Sequence, residues 1–153
     1  METTKLRNYA FSILALSRKF LAEDGDLDPT AFIVTEGEQL VRPLDFSSEI
    51  EKAESCAEIS AEASAHDAVA IVTSFLARAS EFPAGDFDPA GYSWGQLQDR
   101  SYEESILITL SGPSVANWAV SLPFARVNGE IVFGNEVEYT EGLQLGLFPG
   151  WSH

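Results

Sequence analysis

Between His66 and Leu76 the chain reads HDAVAIVTSFL, nearly continuous in apolar residues and rich in β-branched ones. A strand with one face in water alternates apolar and polar positions. A strand without that alternation needs cover on both faces. This run suits such a central strand, and it makes a sheet the organising element of the fold. His66 precedes the strand and reads as a polar cap or surface residue at the end of a helix.

The elements around the strand follow from periodicity and punctuation. Residues 3–22 give the clearest helical pattern, with Leu6, Tyr9, Ala10, Ile13, Leu14, Leu16, Ser17, Phe20 and Leu21 on one side. Phe11 alone points the other way. The stretch EDGDLDP, Glu23 to Pro29, alternates acids as a calcium loop does. An EF-hand loop needs glycine at its sixth position and glutamate at its twelfth, and those places hold Pro29 and Thr35. Gly25 falls where a left-handed helix cap belongs, so Asp24, Asp26 and Asp28 are expected in a turn. Two extended runs in Thr30–Leu44 flank Glu36-Gly37-Glu38, a hairpin signal. Ser48 with Glu51 forms a capping box for a second helix. Its expected inner stripe is Ile50, Ala53, Cys56, Ala57, Ser60, Ala63 and Ser64. SILITL, Ser105 to Leu110, is a strand ended by Gly112-Pro113. VANWAVSLPFARV and EIVFGNEVEY flank Asn128-Gly129, the strongest hairpin signal in the chain.

A chain of 153 residues fits one domain able to bury a core without staples. The expectation is a single globular domain over 1–153, with a long irregular loop at 82–104 and an apolar tail at 142–153. The fold class is α+β, in the order α-β-β-α-β-β-β-β. A mainly antiparallel sheet of about six strands carries two helices packed on one face. A mixed sheet is the alternative, with the second helix as a crossover to a parallel strand.

Composition restricts the chemistry. One cysteine, Cys56, excludes an internal disulfide framework and a multi-cysteine zinc site. It sits in the stripe of the second helix and reads as a packed residue. The only histidines are His66 and His153, and there is no Walker or G-x-G-x-x-G motif. No cofactor and no metal are expected. A net charge of −15 disfavours nucleic acid and anionic lipid as partners and favours a partner with a basic surface. No run reaches membrane-spanning length, and Arg18-Lys19 directly follows the N-terminal apolar run without a cleavage site. The expected location is cytoplasmic. The loop holds the remaining candidate chemistry. Asp86, Asp88, Asp99 and Glu103 lie near Arg100, with Trp94 as an aromatic platform, an arrangement that a small carboxylate enzyme could use.

LAEDGDLDPTAFIV…LVRPL, followed by a helix, AVAIVTSF and DRSYEESILITL, resembles small bacterial α+β proteins to which no activity is assigned. The element order resembles roadblock and profilin-like regulatory modules, which implies a tendency to dimerise. The functional expectation is a non-catalytic interaction or regulatory module that forms a homodimer. The alternatives are an acidic inhibitor that masks a basic partner surface, and the small enzyme built on the loop. The tail residues Leu147, Phe148 and Trp151, Phe11 and the wide apolar arc of the first helix are the surface expected to associate.

Overall fold

The computed structural model describes residues 3–78, 104–113, 115–140 and Phe148, with backbone only at Arg78, Val115 and Ala116. Two helices and seven strands lie in this part. They are α1 (Thr3–Asp24), β1 (Thr30–Val34), β2 (Gln39–Pro43), α2 (Glu49–Ala65), β3 (Ala70–Arg78), β4 (Glu104–Gly112), β5 (Val115–Val127), β6 (Glu130–Phe133) and β7 (Val137–Tyr139). The sheet runs β2-β1-β3-β4-β5-β6, with β7 also paired to β5. Every pairing is antiparallel. The class is α+β with a sheet that is antiparallel throughout its described strands, as the element order implied. EIVFGNEVEY makes two strands on one neighbour, because the chain leaves the ladder after Phe133 and rejoins β5 at Val137.

The helix ends follow their local chemistry. Gly25 takes φ +74° and donates its N–H to Leu21 O at 2.8 Å, so it ends α1 in the left-handed region that glycine enters without strain. Ser48 caps α2 by accepting from Glu51 N–H at 3.1 Å. At the far end of α2, Asp67 N–H bonds Ser64 O at 3.2 Å and Ala68 N–H bonds Ala63 O at 2.9 Å. That is a Schellman motif, with Asp67 at φ +51° in the place usually held by glycine. His66 is the exposed C-cap, as expected. The motif runs to Ala68, and β3 starts at Ala70 instead of directly after His66. Asn128 and Gly129 both have positive φ and close a two-residue hairpin.

The expectation that both helices share one face is corrected. Phe32, Val34, Ala70 and Val72 pack with Leu6, Ala10, Ile13, Leu14 and Leu21 of α1. Ala31, Ile33 and Ile71 pack with Cys56, Ile59 and Ala63 of α2. Successive strand residues point to opposite faces, so α1 and α2 lie on opposite sides of the sheet. The unbroken apolar run of β3 and the buried row of β1 are the residues that need this double cover. On α2 the buried line is Cys56, Ile59, Ser60 and Ala63. Ile50, at 70% exposure, and Ala53, Ala57 and Ser64 face outward, which corrects the expected stripe. The helix meets the sheet along a line one i, i+3, i+4, i+7 row wide.

Candidate interaction surface

The side chains expected from sequence to form a candidate loop site, Asp86, Asp88, Trp94, Asp99, Arg100 and Glu103, lie outside the described residues. Among the described residues no three His, Cys, Asp or Glu side chains gather where one metal ion could be held. No helix among them is long and apolar enough to cross a membrane. Cys56 is buried among Ile33, Ile59 and Ala63, and burial pushes its thiol pKa up against the smaller opposing influence of Lys52. A thiol so placed is a poor nucleophile.

Two of the apolar groups expected at an interface are already engaged within the chain. Phe11 meets Trp118 edge-to-face, with ring centroids 5.2 Å apart, and the Arg7 guanidinium lies 5.6 Å from the centre of the same indole. Arg7 and Trp118 Nε1 both bond Glu138 Oε1, at 2.7 and 3.2 Å. Phe148 is buried in the α2-side cluster beside Ala31, Ile33 and Leu44. Leu147 and Trp151 lie outside the described residues.

What remains open is the flank of α1 that faces β2, and β2 itself. Tyr9 packs on Phe32 and its hydroxyl donates to Gln39 Oε1, which fixes this flank against the β1–β2 ribbon. Burial raises the Tyr9 pKa to about 12. Leu16 and Phe20 follow Tyr9 on the same side of the helix at intervals of i+7 and i+11 and are 41% and 43% exposed. Val41, on the α1 side of β2 opposite Phe32, is 50% exposed. At the end of β2 a recess of ≈ 590 Å³ is lined by Pro29, Pro43, Leu44, Asp45, Phe46 and Ser47. Phe46 is held in its wall by an edge-to-face contact with Phe75, and Lys52 sits 5.2 Å from its ring centre. The side-chain and backbone hydrogen bonds of Ser47 hold the Asp45 carboxyl below its usual pKa.

β2 is also a sheet edge. It pairs with β1, and no described strand lies on its outer side. Arg42 anchors it to α2 through Glu62, at 2.6 Å. Sequence reading placed the hairpin correctly but did not single out this edge, because strand order is a tertiary fact. The legible signal was Pro43, since proline within sheets is confined to edges, strand starts and bulges. No protein-family model matches the chain. No curated protein and no solved structure matches it either.

Proposed function

We propose that the protein is a non-catalytic interaction module that associates with itself. The observation that carries this is the β2 edge with its exposed apolar surround: Val41, Leu16 and Phe20 stand beside a strand whose outer side has no described partner. An open strand edge is a template for further pairing, and natural sheets tend to blunt such edges with charge. Of residues 39–44, Gln-Leu-Val-Arg-Pro-Leu, only Arg42 is charged, and it is paired with Glu62 of α2. The test is mass by light scattering after gel filtration, across a dilution series near 0.15 M salt, where charges are screened beyond about 8 Å. Mass rising from one chain toward two with concentration is the expected result. A single-chain mass at every concentration would refute it.

A second reading draws on α2, whose exposed Glu49, Glu51, Glu54 and Glu58 give it a strongly acidic outer side. That side suits a basic protein partner, whose affinity would fall steeply as salt rises.

A further inference from the structure

We propose that the β2 edge receives the β2 edge of a second copy, antiparallel, about a twofold axis that passes beside Leu40. This rests on the self-association reading above and gives it a place and a register. Thr35 N–H donates to Glu38 O and Leu44 N–H to Pro29 O, each at 2.9 Å. Bonded and non-bonded pairs alternate along an antiparallel ladder. In the observed register, Glu38, Leu40, Arg42 and Leu44 therefore direct their backbone groups to β1. Gln39 and Val41 turn theirs outward. The Val41 carbonyl indeed accepts from the Arg42 guanidinium at 3.0 Å, on the side away from β1.

Pro43 selects among the registers open to two such edges. Were Val41 to face Val41 of the second copy, Gln39 would face Pro43, which has no N–H to donate. One step along, Gln39 faces Val41 of the second copy and Val41 faces its Gln39. Four N–H···O bonds then close between outward-turned groups, the Val41 carbonyl exchanging its Arg42 guanidinium donor for the Gln39 N–H of the second copy. Leu40 meets Leu40 on the axis, and Glu38 meets Arg42 on each side of it. These even-numbered residues occupy the non-hydrogen-bonded positions, where facing side chains approach most closely. The sequence Glu-Gln-Leu-Val-Arg is thus complementary to itself when reversed. A basic peptide in the same place would meet Arg42, and an acidic one Glu38.

The opposite edge lacks this property. Gly134 N–H bonds Pro123 O at 2.7 Å, so Ile131 and Phe133 are the outward residues of β6. In the register that pairs them across a twofold, Glu130 faces Gly134 and gains no cation. The Arg42–Glu62 bond holds the guanidinium on the α2 side of β2, the side from which Glu38 of the second copy arrives. A contact centred on five residues per chain falls below the roughly 1,200 Å² of a standard stable interface, so the dimer is weak and its population grows with concentration.

The test is a complementation experiment by analytical ultracentrifugation. Glu38→Arg places Arg against Arg, and Arg42→Glu places Glu against Glu, so each variant alone should be monomeric at concentrations where the parent is dimeric. Mixed one to one, they restore both opposite pairs and should form a heterodimer. Val41→Pro serves as an independent variant, since the N–H it removes takes no bond from β1. It should keep the parent's circular dichroism and melting profile while losing the dimer. A Val41→Pro dimer as tight as the parent's, or folded charge variants that do not recombine, would overturn the edge assignment and leave self-association standing. A parent chain that is monomeric throughout would overturn both.

Discussion

The two faces of the sheet are built from different materials. On the α1 side the buried side chains are large: Phe124, Leu6, Leu21, Ile106, Ile108, Leu110 and Leu122 are all at or near zero exposure. The α2 side of β3, β4 and β5 is equally buried, but apart from Ile71 and Leu107 its buried side chains are small or polar, including Thr73, Ser105, Thr109, Ser111, Ala119 and Ser121. Thr73 and Thr109 face each other and their hydroxyls bond. Among the described residues, Ser105 and Ser121 hydroxyls find no partner. The α1 face thus carries the larger share of the apolar burial, while the hydroxyl-lined part of the other face excludes water at little gain or at a cost. With both faces covered, the strand edges are where the sheet can still add a partner.

This contrast can be broken by substitution. The largest effect is expected on the α1 side: Phe124→Ala should destabilise the chain by about 3–5 kcal/mol through lost transfer energy and cavity formation, read from the midpoint of urea unfolding. On the other side, Thr73→Val should cost about 1–3 kcal/mol because it strands the Thr109 hydroxyl. The double change Thr73→Val with Thr109→Val should be nearly neutral, since no buried hydroxyl is then left unpaired. A double variant as damaged as the single would show that the pair is held for another reason. Ser121→Ala should be neutral or stabilising by up to about 1 kcal/mol, because it removes a buried hydroxyl with no partner among the described residues.

The smallest effect concerns pH. The folded Tyr9 pKa lies near 12, above its ordinary value of 10. The folded state therefore holds this proton more tightly than the unfolded state. Its contribution to stability is complete below pH 10 and is lost as pH rises through about 12. A stability profile over that window should fall less steeply in Tyr9→Phe. An unchanged slope would show that Tyr9 titrates as it does in the unfolded chain.

Much of the fold was legible because it is written in local chemistry. Gly25, Ser48 and Asn128-Gly129 each solve a backbone problem within a few residues, and each ended or joined an element where expected. What was misread depends on the third dimension. Phe11 looked misplaced on a helical wheel because Trp118, its partner, is over a hundred residues away. Ile50 looked buried by its spacing, but α2 touches the sheet along too narrow a line to cover it. The opposite placement of the helices was implied by the unbroken apolar run of β3, yet only the register of β1 against β3 resolves which residue serves which face. Asp67, carrying the left-handed turn usually given to glycine, left no recognisable mark in the sequence.

The most direct measurement of the account is amide hydrogen exchange along β2 as a function of protein concentration. The amides of Leu40 and Arg42 bond to β1 and should be protected in the single chain and the dimer alike. Those of Gln39 and Val41 point outward and should exchange quickly in dilute solution, then slow in step with the dimer population as concentration rises. If Gln39 and Val41 still exchange freely where light scattering reports two chains, the copies meet elsewhere and β2 is not their contact.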